Sequence, residues 1–145
     1  MNITVEPATP DDVAAIDAYR YEPPYDFYDD HSRPVKNPEG FCSARDDAGR
    51  LVGFFYFERR GAGVFYGLGM RPDLTGRGLG LEFVSTGIAF ARERFGPRRL
   101  VLDVAEFNAR AIKVYERAGF RVTGRHTRYF EGWGDVPFID MQLDA

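Results

Sequence analysis

Five of the chain's 16 glycines fall within the 14 residues "GLGMRPDLTGRGLG", Gly67 to Gly80. Glycine loses more conformational freedom on folding than any other residue, so this concentration needs a reason. An apolar strand pattern, "GVFYGLGM", runs into the stretch, and an amphipathic helical pattern leaves it between Gly78 and Phe95. The glycines therefore occupy a strand-to-helix turn. A helix N-terminus offers unpaired N–H groups and a partial positive charge there, which suits a phosphate or pyrophosphate. Gly76, Gly78 and Gly80 remove side chains that would block approach to the backbone, Arg77 adds a positive charge, and Thr75 adds a hydroxyl. A P-loop is excluded, because Leu81 and Glu82 follow Gly80 where Lys and Ser or Thr are required. A dinucleotide fingerprint is disfavoured as well. The spacing is G-x-G-x-G, and several strands precede it instead of the opening strand of a βαβ unit.

The remaining patterns describe a mixed α/β chain. "NITVEP" reads as a short strand, and "TPDDVAAIDAYR" as a helix with Thr9 as N-cap, Pro10 in the first turn and Asp12 completing a capping box. Tyr21 to Pro38 is irregular and proline-rich, with a helical turn around Tyr25 to Asp29. "FCSARDDAGRLVGFFYFERR" reads as a hairpin turning at "DDAG". In the following helix Leu79, Phe83 and Phe90 share one face, with Leu81, Val84 and Ile88 beside it. "RRLVLDVAE" is a nearly continuous apolar strand of the kind found near a sheet centre. "NARAIKVYERAG" is a helix capped by Asn108 and ended by Gly119. Two more strands, joined at "EGWGD", close the chain. At 145 residues a single domain, 1–145, is expected.

Nineteen basic against 22 acidic residues leave no basic excess for nucleic acid. The nearly apolar runs, such as Val52 to Phe57, are too short to span a bilayer. The N-terminal residues lack a basic region followed by an apolar stretch, so no signal peptide and a cytoplasmic location are expected. Cys42 is the only cysteine, which rules out an internal disulfide and a cysteine-based zinc site. His31 and His126 are far apart and lack metal-ligand spacing, so no metal is expected, and both read as ordinary loop or strand residues.

"MRPDLTGRGLG" resembles the acyl-CoA pyrophosphate loop of the GNAT superfamily of N-acetyltransferases. Met70-Arg71-Pro72 matches the hydrophobic-x-Pro step, and Gly78 and Gly80 match the paired glycines, while Thr75 stands where the family prefers Arg or Gln. "NARAIKVYERAGF" is similar to the family's Asn-x-x-Ala-x-x-x-Tyr-x-x-x-Gly-Phe signature through Asn108, Ala111, Tyr115, Gly119 and Phe120. The general likeness is to the branch that acetylates ribosomal-protein N-termini. The resemblance implies a mixed, mostly antiparallel sheet of six to seven strands. Helices would cover both faces, and the sheet would be splayed between strands four and five with acetyl-CoA in the gap.

The resemblance also implies roles. Backbone groups of Leu68 and Met70 would hold pantetheine. Thr75, Gly76, Arg77, Gly78, Leu79 and Gly80 would hold the pyrophosphate, with Asn108 and Ala111 adding contacts. The Met70 N–H would be the oxyanion donor. Tyr115 would stand beside the departing thiolate. A free phenol has a pKa about 10 and a free thiol about 8.5, so full proton transfer would be uphill by roughly 2 kcal/mol, and a hydrogen bond from Tyr115 is easier to defend. Asp103 occupies a place where relatives often carry a glutamate base. Glu106, Tyr66 and a water chain are alternatives.

The segment "YRYEPPYDFYDDH" gathers four tyrosines with Glu22, Asp26, Asp29 and Asp30. In the superfamily this region lines the acceptor cleft, and aromatic walls with carboxylates suit a cationic amine. Tyr25, Tyr28, Glu22 and Asp26 are the candidate acceptor-binding residues; an acidic surface loop anchored by its tyrosines is the competing reading. Glu131 and Trp133 are candidates for an opposite wall. Together these features point to acetyl transfer from acetyl-CoA to a small-molecule or peptide amine by direct attack, without a covalent intermediate on Cys42. A non-catalytic acyl-CoA-binding module is the alternative. Dimers are common in the superfamily, so a homodimer is also an expectation.

Overall fold

A computed structural model describes residues 2–31 and 38–145. The order is β1 (Thr4–Pro7), α1 (Pro10–Asp17), α2 (Tyr28–His31), β2 (Phe41–Arg45), β3 (Leu51–Arg60), β4 (Gly63–Met70), α3 (Gly80–Phe95), β5 (Leu100–Ala105), α4 (Ala109–Arg117), β6 (Arg121–Phe130) and β7 (Gly134–Leu143), with short 3-10 turns at Tyr25–Phe27, Pro38–Gly40 and Pro72–Leu74. The seven strands form one sheet in the order β1-β2-β3-β4-β5-β7-β6. The pairs β1–β2, β2–β3, β5–β7 and β6–β7 are antiparallel. The β4–β5 pair is parallel, at Val64↔Leu100 and Phe65↔Val101. This is the mixed, mostly antiparallel sheet that the resemblance implies. Part of the proline-rich stretch, residues 32–37, lies outside the described residues, as do the side chains of Asp30 and His31.

The chain packs as two compact units that divide inside β3 and β4: Met1–Glu58 with Gly67–Leu79, and Arg59–Tyr66 with Gly80–Ala145. In the first unit Ile16, Phe41 and Phe54 are buried together, with Ala8, Tyr19, Leu51 and Tyr56 packed around them. The capping box of α1 forms as predicted: the Asp12 N–H donates to Thr9 Oγ1 and the Thr9 N–H to Asp12 Oδ2, both at 3.1 Å. Asp12 does more than cap. Only 6% exposed, it also accepts from Ser43 Oγ at 2.7 Å and from the Arg45 guanidinium at 2.6 Å. The predicted turn between β2 and β3 is closed by Asp46, whose Oδ1 accepts the N–H groups of Ala48 and Arg50, and by Gly49 at φ +78°.

In the second unit α3 buries Phe83, Val84, Gly87 and Ala91. Leu81, expected beside the buried face, is 40% exposed. It lies about 100° around the helix from the centre of that face, beyond the reach of the core. β5 alternates as a sheet strand should, with Leu100, Leu102 and Val104 buried and Val101 and Asp103 half-buried between them. Asn108 caps α4, its Oδ1 accepting the Ala111 N–H at 3.2 Å, and Gly119 follows the helix at φ +105°. Among the described residues no helix is long and apolar enough to cross a membrane.

Burial alone would raise the Asp12 pKa. The hydrogen bonds from Ser43, the Thr9 backbone and Arg45 outweigh it and hold the carboxyl at about 2, against an ordinary 3.8. A depressed native pKa stabilises the fold above the unfolded value, and that stability is lost as pH falls toward the native one. The two values give about 2 kcal/mol at neutral pH. Asp12→Asn is therefore expected to lower the urea unfolding free energy by about 2 kcal/mol at pH 7. The gap to wild type should narrow between pH 4 and pH 2; a pH-independent gap would refute the assignment.

Candidate active site

The glycine-rich segment is a tight turn between a strand and a helix. β4 ends at Met70, a 3-10 turn covers Pro72–Leu74, and α3 begins at Gly80. Gly76 and Gly78 adopt φ of +73° and +77°, a region that side-chain-bearing residues avoid. A Cβ built on Gly78 would meet nothing within 4 Å, so there is room for a side chain and only the backbone conformation calls for glycine. Gly80 has a different reason: a Cβ there would lie 3.2 Å from Val114 Cγ2 on α4. Backbone conformation thus explains Gly78, and close helix packing explains Gly80. The Thr75 hydroxyl donates to the Pro72 carbonyl at 2.7 Å and closes the 3-10 turn.

At the end of β4 the Arg71 N–H donates to the Val52 carbonyl of β3 at 2.8 Å. Successive residues of a strand direct their N–H and C=O groups to opposite edges. The Met70 N–H, the predicted oxyanion donor, therefore points away from β3. The Met70 carbonyl shares that edge, and it accepts the hydroxyl of Tyr21 at 2.7 Å. Tyr21 is held in turn by Asp29, whose Oδ1 accepts its backbone N–H at 2.9 Å. Sequence reading passed over Tyr21, since its partner lies 49 residues away.

Of the predicted acceptor residues, Tyr25 and Asp26 sit in the 3-10 turn before α2, Tyr28 opens α2, and Glu22 is exposed just upstream. Asp26 Oδ1 is buried without a hydrogen-bond partner among the described residues. An unpaired buried carboxylate oxygen is costly unless a donor arrives to satisfy it. The Tyr19 hydroxyl shares that condition, and burial pushes its pKa up to about 12.

In the second unit Tyr115, on α4, meets Phe120 edge-on at 5.9 Å, and Phe120 stacks on Tyr66 at 6.4 Å. Tyr66 was an alternative base. Its hydroxyl instead donates to the Val84 carbonyl at 2.8 Å inside the core. Burial, followed by the nearby Tyr115, pushes its pKa well above 10, so it holds its proton and serves packing. Glu106, another alternative, is paired with Arg125. Asp103 on β5 has His126 Nε2 at 3.7 Å and an Arg128 guanidinium nitrogen at 3.5 Å, both from Oδ2. Trp133 is exposed and Glu131 lies in the turn beside it. Cys42 is buried on β2.

Residues 8–120 match the family model of the acetyltransferase (GNAT) family. The chain belongs to this family. Among curated proteins it is 41% identical over 102 residues to a mycothiol acetyltransferase of Salinispora arenicola, covering 66% of this chain and 33% of that protein. It is 39% identical over 98 residues to one of Propionibacterium freudenreichii, covering 64% and 31%. The chain thus spans about a third of the length of these relatives. Among solved structures it resembles a GNAT-family acetyltransferase from Bacillus anthracis, with a TM-score of 0.78 at 14% identity over 99% of this chain and 95% of that one. The spermidine N-acetyltransferase of Vibrio cholerae in complex with CoA and spermine superposes with a TM-score of 0.75 at 14% identity, over 98% and 95%. At such identities the likeness speaks to the fold. The GNAT fold expected from the two signature blocks is therefore the fold observed.

The two glycine explanations can be separated by stability. Gly78→Ala should cost about 1–2 kcal/mol through its left-handed backbone alone, and the methyl group has room. Gly80→Leu should cost more than Gly80→Ala, because the added atoms press into Val114. Urea unfolding of the three variants checks this; equal losses for both Gly80 variants would overturn the packing argument.

Proposed function

We propose that this GNAT chain is an N-acetyltransferase that moves an acetyl group from acetyl-CoA to a primary amine by direct attack. The observation that carries the reading is the junction of β4 and α3. There a strand edge presenting the Met70 N–H leads into glycines of positive φ and then a helix N-terminus. The space beside Gly78 is open, and the helix N-terminus that follows supports a pyrophosphate there. Bound acetyl-CoA would supply an activated thioester.

The chain's own groups would do the rest. The N–H groups from Gly76 to Gly80, with Arg77, hold the pyrophosphate. Leu68 pairs its backbone with the pantetheine arm beside Met70, whose N–H is kept for the thioester, and Asn108 and Ala111 contribute at the start of α4. The Met70 N–H donates to the carbonyl oxygen as negative charge develops there. Tyr115 donates a hydrogen bond to the departing sulfur. Asp103 lies in the neighbourhood where the amine's proton is taken up. Glu22 and Asp26 attract the cationic acceptor between Tyr25 and Tyr28, and the unpaired Asp26 Oδ1 gains a donor from it. The reading treats residues 1–145 as one acetyltransferase domain in the cytoplasm. Among the similar proteins are mycothiol acetyltransferases and a spermidine N-acetyltransferase, and the amine acceptor of the latter supports an amine as the acceptor class here.

The test is an acceptor screen with acetyl-CoA that reads free thiol and product mass together. The panel contains spermidine, spermine, amino acids, aminoglycosides, lysine peptides and peptides with free N-termini. Amine-dependent thiol release with a product heavier by one acetyl group is expected. Tight CoA binding with no turnover across the panel would favour a non-catalytic acyl-CoA-binding module. Tyr115→Phe should lower kcat about 10-fold to 100-fold, with little change in the affinity for acetyl-CoA. Wild-type kcat in that variant would remove Tyr115 from the mechanism.

A further inference from the structure

Three side chains that are distant in sequence meet on one face of the C-terminal strands. Asp103 on β5 and Asp140 on β7 are cross-strand partners, so they share a face. A β-bulge between Val122 and Gly124 adds one residue to β6 and sets His126 opposite Phe138, on that same face. Without the extra residue, Val122↔Met141 would carry the register on to His126↔Pro137, and the imidazole would point to the other side. The bulge aims His126 at the two carboxylates. The ring stacks on Phe138, with 5.4 Å between centroids and 13° between planes.

Each imidazole nitrogen faces its own carboxylate. Nδ1 lies 3.0 Å from Asp140 Oδ1 and 3.1 Å from Oδ2. Nε2 lies 3.7 Å from Asp103 Oδ2. A neutral imidazole carries one N–H. Placed on Nδ1, that proton is accepted by Asp140, which leaves Nε2 as a lone pair directed toward Asp103. A lone pair and a carboxylate are both acceptors and cannot bond to each other. The 3.7 Å gap between them calls for a third group that carries N–H donors. An ammonium nitrogen about 2.9 Å from each would bond to both. Arg128, from the same strand as His126, reaches the same Asp103 oxygen at 3.5 Å. A carboxylate offers about four acceptor positions, so it can receive both cations. One nitrogen and two oxygens of the trio also lie within 4.8 Å of one another, a spacing that a metal ion could use. The opposed nitrogens and the positive Arg128 favour the hydrogen-bonded arrangement over a metal ion.

We propose that His126 is the general base for the acceptor amine, with Asp140 orienting its ring and Asp103 holding the ammonium. The proposal rests on the acetyl-transfer reading and names the group that removes the proton. One ammonium N–H bond breaks, and its proton bonds to Nε2. The resulting imidazolium is held by Asp140. The nitrogen lone pair then forms the C–N bond, the C–S electron pair leaves on sulfur, and the second nitrogen proton passes to that sulfur. The imidazolium returns its proton to solvent.

Two measurements test it. In protein labelled with 15N-histidine, two-bond correlation spectra should show neutral His126 as the Nδ1–H tautomer, and Asp140→Asn should reduce that preference. An Nε2–H tautomer in the wild type would overturn the proposal without any acceptor being known. In the rate assay with acetyl-CoA and the panel amines, His126→Gln should lower amine kcat/KM about 100-fold with the KM for acetyl-CoA unchanged. Added imidazole should restore part of the rate to His126→Ala, which a purely structural histidine would not show. Equal rates in wild type and His126→Gln would sink the role of His126 and leave acetyl transfer standing. No thiol release with any amine would overturn both. Activity lost to EDTA and restored by a divalent metal would replace the base with a metal site.

Discussion

Backbone groups along a strand alternate between its two edges, and at the end of β4 that alternation governs the acetyl-CoA site proposed for this chain. Because the Arg71 N–H is committed to β3 at Val52, the N–H and C=O of Met70 must turn to the other edge. The carbonyl there is taken by Tyr21. The strand then gives way to a turn whose glycines accept positive φ, and α3 begins with its N–H groups pointing back toward the turn.

Two sets of titratable groups contrast in this molecule. Asp12 and Tyr66 are buried and spent on structure. The carboxylate is held ionised by Ser43, Thr9 and Arg45, and the phenol is held protonated by burial and a carbonyl partner. Asp103, His126 and Asp140 are different. They are half-buried, and they lie on the face that also carries the ring of Phe138. The first kind shows how the chain satisfies polar groups it hides. The second keeps acceptor capacity within reach of solvent, as the proposed proton transfer requires.

Local chemistry made much of the fold legible. The capping box of Thr9 and Asp12, the "DDAG" turn, the Asn108 cap and the Gly119 stop all depend on residues a few positions apart, and each forms as read. Errors arose where a residue's fate depended on distant packing. Leu81 has a helical apolar position but lies off the buried face. Tyr66 looked chemically available from the strand pattern, yet its hydroxyl is locked against Val84. Tyr21 was overlooked in a tyrosine-rich segment because nothing nearby singles it out.

The amino-acid sequence by itself determined the order of the elements, the strand-glycine-helix junction and the two signature blocks that mark a GNAT chain, because hydrophobic period, caps and glycine φ requirements are short-range properties. Only the tertiary structure decided which polar groups meet. The register of β5 against β7 pairs Asp103 with Asp140, and the bulge in β6 turns His126 to join them. A single inserted residue reverses every side chain beyond it. Pairing register depends on strands far apart in the chain, so no local pattern around His126 could have disclosed its partners.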